Sequence, residues 1–318
     1  MQFTTKIPIK KSNDTLDYNS KIVSLGSCFA VNMSDKLDYF KFQNTCNPFG
    51  ILFHPLAIEN FVDFAVSGKQ FMEKDIFFHN EIWHCFDAHS DLSNPDKQEL
   101  LSSLNAIVQL TRTAIENASH IIITYGTAWV YTNIKSKATV ANCHKVPQKE
   151  FDKSILSVDS IQKSIKNTIH LIESLNPNCS VIFTISPVRH IKDGFVENQW
   201  SKANLVTSVH QVLNGDHFKR NTAYFPSYEI MMDELRDYRF YGEDMLHPNQ
   251  VAIDYIWQRF KETSISDASL NTMDDVADVR KGLSHKAFNP KSESHLKFLA
   301  KLNEKITKLE TQYPTMKF

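Results

Sequence analysis

The feature that most constrains the fold is an alternation of short apolar runs, each ending in turn chemistry, with longer stretches of helical periodicity. Four runs read as buried strands, at residues 22–25, 121–124, 181–185 and Thr222–Phe225, and a fifth falls near 40–45. Between them, residues 100–118 carry apolar side chains at 101, 104, 107, 108, 110 and 115. Val158–Leu175 repeats the pattern with Ile161, Ile165, Ile169 and Ile172, and residues 251–260 continue it. A parallel strand pair needs a long crossover, and a helix supplies one, so this alternation predicts helices packed on a parallel sheet. The expected architecture is a three-layer α/β/α sandwich with a central, mostly parallel sheet.

In such sheets ligands bind beyond the carboxyl ends of the strands. Gly26, Gly50 and Gly126 all follow predicted strand ends, and they are three of only eight glycines. A glycine there lets the chain turn tightly and brings backbone N–H groups close to a ligand. Each could be a turn residue alone, but their grouping at one rim favours a site. After Gly26 come Ser27 and Cys28, both able to act as nucleophiles. Some two hundred residues later, Asp244 precedes His247 by three positions, just before a helical pattern. Nucleophilic catalysis needs a hydroxyl or thiol, a base to take its proton, and an acid to orient that base. Asp244, His247 and the Gly26-Ser27-Cys28 turn are therefore expected to converge at one end of the sheet. The competing assignment makes Asp244 the N-cap of the following helix.

The run Gly26-Ser27-Cys28-Phe29-Ala30 resembles the motif that defines the GSCFA-domain family, which is similar to the wider SGNH (GDSL-type) esterases and acyltransferases. The resemblance extends from about Phe3 to Phe260. It takes in Asn47-Pro48-Phe49-Gly50, Tyr125-Gly126-Thr127 and Ser186-Pro187-Val188-Arg189-His190. It implies an SGNH-hydrolase-like (flavodoxin-like) sheet and acyl-ester hydrolysis or acyl transfer through a covalent acyl-enzyme. O-acylated carbohydrate or cell-surface polymer is the implied substrate class. Aligned on the glycine, Cys28 takes the nucleophile's place and Ser27 that of an aspartate. A helix N-terminus after Cys28 is expected to favour the thiolate, although a free cysteine can equally be a small buried hydrophobe. Oxyanion donors are implied at the N–H after the turn, at Gly50, and at an Asn two residues past Gly126. Position 128 is Ala, so either another group such as Thr127 or Asn47 substitutes, or the chemistry is not ordinary ester hydrolysis. A retained fold without catalysis, serving as a carbohydrate- or ligand-binding module, is the alternative.

Arg189 and His190 follow a predicted strand and are candidates for holding an anionic or hydroxyl-rich substrate, Arg through its fork of donors; a solvated loop arginine is the plainer reading. Two insertions, near 71–95 and 130–151, should form lips over the pocket, carrying His89 and the Asn142-Cys143-His144 group in a strand-like, Lys-rich stretch. Their spacing fits no specific metal site, so no metal and no cofactor are expected. The catalytic domain is assigned to residues 1–262. Residues 263–318 form a helical extension, with a final helix near 292–311 whose apolar residues cover the domain or mediate a homodimer.

Charge excludes some partners. Lys+Arg 35 against Asp+Glu 36 leaves no basic excess for nucleic acid. No stretch approaches the ~20 apolar residues of a membrane span, and residues 1–20 lack an apolar signal core. The five cysteines are scattered and odd in number, which suggests reduced thiols. A cytoplasmic protein acting on a small-molecule or carbohydrate ester is expected, without membrane insertion.

Overall fold

The computed structural model describes residues 4–215 and 222–318; Phe3, where the family resemblance begins, lies outside them. Its ten strands are β1 (Lys21–Gly26), β2 (Gln43–Cys46), β3 (Phe77–His79), β4 (Ile82–His84), β5 (His120–Tyr125), β6 (Trp129–Asn133), β7 (Thr139–Val140), β8 (Phe151–Ile155), β9 (Ser180–Ile185) and β10 (Thr222–Phe225). Five form the central sheet in the order β10-β9-β5-β1-β2, and every neighbouring pair is parallel. The chain therefore starts in the middle, steps outward to β2, and then reverses across the sheet. The reversal falls between β1 and β5, the kind of switch point at which doubly wound sheets open a crevice.

Helices cover both faces. On one lie α2 (Pro55–Ser67), α3 (Lys97–Asn117), α4 (Val158–Leu175) and α5 (Phe195–Leu213). On the other lie α1 (Cys28–Tyr39), α7 (Gln250–Ser264), α8 (Asp267–Ser284) and α9 (Glu293–Gln312). A short α6 (Ser227–Glu229) links β10 to a π-helical turn. The strands feed both layers by alternation. Ile121, Ile123 and Tyr125 of β5 face the first core, while Ile122 faces the second. Strands apolar on both faces read as continuous hydrophobic runs, which is why they were legible.

The fifth strand is displaced from its expected place. Phe40 ends α1, Lys41 takes a left-handed φ of 63°, and pairing with β1 starts only at Gln43. The two insertions fold as small antiparallel units. The first contains the β3–β4 hairpin; the second is a three-stranded sheet, β7-β6-β8, running to Ile155. Asn142-Cys143-His144 is not strand-like but a turn after β7, with His144 at φ 50°. His54 ties this unit to the main domain. Its Nδ1 caps α2 through the Ala57 N–H, and its Nε2 bonds the Val140 carbonyl.

The C-terminal helices pack onto the second face of the sheet. α7 runs through the assigned boundary to Ser264, and Met273, Val276, Val279, Leu302, Leu309 and Met316 join the core around Phe29 and Trp257. On α9, Leu302 and Leu309 point inward while Leu296, Phe298 and Leu299 stay exposed. No helix among the described residues is long and apolar enough to cross a membrane.

Candidate active site

The turn after β1 has no room for a side chain. Gly26 sits at φ 130°, and a Cβ there would lie 2.1 Å from the Thr124 carbonyl oxygen. The turn is held on both sides. Ser27 N–H donates to Thr124 O at 3.0 Å, and Gly26 N–H donates to Asn47 Oδ1 at 2.7 Å. Ser27 is then the N-cap position of α1 and Cys28 its first helical residue, although the Ser27 hydroxyl makes no cap bond. Ser27 is 0% exposed, whereas Cys28 is only partly covered.

The environment of Cys28 corrects one expectation. Burial pushes the thiol above its ordinary value; Lys202 and the N–H groups of Phe29 and Cys28 pull it down without reversing the shift. The helix N-terminus acts as expected, but desolvation outweighs it, and the resting group is the thiol.

Asp244 and His247 form a local unit on an exposed loop. His247 Nδ1 lies 2.6 Å from Asp244 Oδ2, while Asp244 Oδ1 accepts the N–H groups of Leu246 and His247. Those bonds hold the Asp244 carboxyl down at about 2. Asp244 does not cap α7, because Asn249 does so through the Ala252 N–H. Arg189 N–H donates to Leu246 O at 3.2 Å, fastening this loop beside the end of β9. Among the described residues, His247 makes no hydrogen bond to Ser27 or Cys28, and its side chain is 51% exposed.

His190 lies deeper. A Cβ on Gly126 would sit 3.2 Å from both His190 Nε2 and Ser27 Cβ, so the two side chains flank Gly126. Burial, then the neighbouring Lys202 and His247, holds the His190 imidazole down at about 3, so it stays neutral. Arg189 turns elsewhere and stacks over Tyr241 at 4.2 Å and Tyr238 at 5.1 Å.

Several implied oxyanion donors are already used. Gly50 N–H donates to Asn47 O, and the N–H groups of Gly126 and Thr127 both donate to Phe53 O. Ala128 N–H donates to Ser201 Oγ at 2.7 Å. What remains is a set of buried side-chain atoms with no hydrogen-bond partner within the chain: Ser27 Oγ, Asn47 Nδ2 and His190 Nε2. All three belong to residues at the Gly26–Gly126 rim. Buried polar groups are normally paired, so such a cluster points to a place where a ligand's polar atoms fit.

The lips close over one side. His89 packs against Gly50, where a Cβ would lie 2.3 Å from His89 Cβ. His144 bonds Cys85 O and Ser90 Oγ, and Asn142 accepts from Ser90 Oγ. Beside them opens a cavity of about 370 Å³ lined by Phe53, Thr127, Trp129, Tyr131, Asn142 and Cys143, among others.

Lys202 is the functional candidate that sequence reasoning missed. It is 1% exposed, and its Nζ donates to Gly126 O at 2.8 Å and Ser186 O at 2.6 Å. Its signal was present in the phase of α5. Leu205, Val209 and Val212 mark the buried stripe, and stepping back three or four residues lands on Asn198, Ser201 and Lys202, all buried.

No curated protein matches the sequence. The model of the GSCFA family matches residues 21–260, from the first residue of β1 to the body of α7. The model of the GSCFA domain protein C-terminal domain matches residues 276–318, from the middle of α8 through α9 to the last residue. With its glycine turn, its rim and α9 inside these matches, the chain belongs to the GSCFA family.

Proposed function

We propose that this protein hydrolyses or transfers acyl groups through a thioester on Cys28. The cluster of Ser27 Oγ, Asn47 Nδ2 and His190 Nε2, buried and unpaired beside that thiol, is the observation that carries the reading. Cys28 Sγ attacks the acyl carbonyl, and the developing oxyanion takes a hydrogen bond from Asn47 Nδ2, which stands in for the side-chain donor missing at Ala128. One such donor contributes ~2.7–4 kcal/mol to transition-state stabilisation. His190, neutral, adds a second donor in the tautomer that carries its proton on Nε2. His247, with Asp244 on Nδ1, gives a proton to the departing alkoxide and later takes one from the accepting water or hydroxyl. Ser27, fully covered where Cys28 is partly open, supports the turn. The lip cavity, with the faces of Trp129 and Tyr131 in its wall, suits a sugar ring on the ester.

The test is acyl-enzyme trapping with nitrophenyl esters of short and long chains, read by intact mass. An adduct is expected on the wild type and on Ser27→Ala. Cys28→Ala should carry none, with turnover down by on the order of a thousandfold or more. Adduct on Cys28→Ala but not Ser27→Ala would move the nucleophile to serine. No adduct with any ester would leave a binding module of the same fold.

A further inference from the structure

The acyl-transfer mechanism leaves one step unassigned: removal of the thiol proton. His247 is the expected base; neither it nor Lys202 hydrogen-bonds Cys28, but His247 sits largely in solvent. Lys202 occupies the buried side. Its stem runs through the first core from α5, and its Nζ reaches the loops after β5 and β9 through the carbonyls of Gly126 and Ser186. An ammonium has three N–H donors, and two are accounted for by these bonds.

The groups facing Lys202 come from three elements. Gly126, whose carbonyl holds Nζ, lies between His190 of the loop after β9 and Ser27, the residue before Cys28 of α1, since a Cβ on it would sit 3.2 Å from both His190 Nε2 and Ser27 Cβ; Tyr228 of α6 has its ring centroid 5.5 Å from Nζ. No carboxylate bonds to it among the described residues. His190 cannot become an anion, and burial pushes the Tyr228 phenol up, so it stays neutral. Among these groups the Cys28 thiol, protonated at rest, is the one whose proton a neutral amine can accept. A buried, unpaired cation is costly, and a thiolate beside it removes that penalty.

Resting on the acyl-thioester reading, we propose that Lys202 takes the proton of the Cys28 thiol, so that attack begins from a thiolate–ammonium pair beneath the strand ends. The S–H bond breaks and an N–H bond forms on the neutral amine. The sulfur lone pair then bonds to the acyl carbon while the C–O bond to the alcohol breaks, and His247 protonates the alkoxide. In the second half, His247 takes the proton of the accepting hydroxyl. The thiolate leaves the acyl group and recovers its proton from Lys202, so both bases end as they began. Burial brings Lys202 down to about 7, which leaves a neutral amine available in the physiological range.

The test is the rate of Cys28 alkylation by iodoacetamide from pH 5.5 to 9.5, followed by peptide mass, with Cys143 in the same samples as a control. In the wild type the rate should climb through about pH 7 and then level off, because the proton passes inside the pair rather than to solvent. In Lys202→Met and Lys202→Gln the rate at pH 7.5 should fall roughly tenfold and rise without levelling towards pH 9.5, a shift of one or more pH units. In His247→Gln the wild-type profile should persist within about twofold, well below the tenfold of a full unit. A wild-type profile without levelling would overturn the proposal even if neither lysine variant folded. So would unchanged Cys28 labelling in folded lysine variants, or an equal loss in His247→Gln. Alkylation needs no acyl substrate. An absent acyl adduct with the expected profile would sink the acyl reading alone, and an adduct without that profile would sink only the role of Lys202.

Discussion

Two basic side chains are buried on opposite faces of the same sheet, and the fold treats them in opposite ways. Arg259 of α7 is closed off. Its Nη1 meets both oxygens of Glu234 at 2.9 and 3.0 Å, and its Nη2 donates to Ile7 O at 2.6 Å. Glu234 in turn accepts from Ile7 N–H and from the Tyr255 hydroxyl. The arrangement staples the N-terminal segment to the helical face and presents nothing to a ligand. Lys202 of α5 meets two carbonyls and no carboxylate, with unpaired polar atoms nearby. The first pairs its charge with a buried carboxylate and specifies a fold; the second has no carboxylate partner and leaves electrostatic demand open where chemistry can use it.

That contrast is broken or sharpened most strongly by removing one partner from each. Glu234→Gln leaves Arg259 buried without its charge partner and should lower stability by about 3–5 kcal/mol. Lys202→Met removes a buried charge along with two hydrogen bonds to carbonyls. These terms oppose each other, so a net change within about 2 kcal/mol is expected. Urea unfolding of the two variants at pH 7.5 checks both. Equal losses would mean that Lys202 is as much a structural staple as Arg259. A loss of acyl-adduct formation in folded Glu234→Gln would join the two regions functionally.

The next effect comes from the terminal helices, which share a core with Phe29, the residue after Cys28. Leu302 is 7% exposed and rests on Gly282, where any Cβ would lie 2.6 Å from Leu302 Cδ1. Leu302→Ala should cost about 2–4 kcal/mol through lost burial and the cavity left behind. Acyl-adduct formation per folded molecule should be unchanged, since α9 reaches the α1 layer and not the rim. A folded Leu302→Ala that no longer acylates would place the tail in the active site.

What was legible in the sequence follows from what is local. Strands covered on both faces must be apolar throughout, so β1, β5, β9 and β10 stood out. Gly26 advertised a turn that only glycine can make. Asp244 and His247 could be paired from three-residue spacing because a single turn brings them together. The rest depended on distance. The β2 boundary was misplaced because the end of α1 is as aromatic as a strand. The thiol's true bias was hidden because it is set by burial in the folded chain, which outweighs the opposing charge of a lysine some 170 residues away. Lys202 itself looks like any surface lysine until the phase of α5 is extended from Leu205 backwards. The tail was legible as a helical appendage from its charged periodicity, but which of its few apolar residues turn inward, Leu302 and Leu309, was not.

The smallest expected effect reads the same contrast along the pH axis. The site end holds three buried imidazoles kept neutral by desolvation: His190 at about 3, and His54 and His144 of the lip at about 4. Each has an ordinary value near 6.5 in the unfolded chain. Between the two values the unfolded state binds a proton that the folded state refuses, so stability rises with pH across that window and falls on acidification. The contribution is fully favourable above pH 6.5 and is eroded from there down to about pH 4, then further to about pH 3 for His190. At pH 6 a single histidine of this kind lowers stability by under about 1 kcal/mol, and the loss steepens towards about 1.4 kcal/mol per pH unit below that. His190→Gln should therefore lose less stability than the wild type between pH 6.5 and 5, giving a shallower acid limb in thermal unfolding. The site end would then be the acid-sensitive end of the molecule. If the acid limbs of wild type and variant coincide, folded His190 takes up its proton as readily as the unfolded chain does, and it would meet substrate as a cation below about pH 6.5 rather than as the neutral hydrogen-bonding partner assigned here.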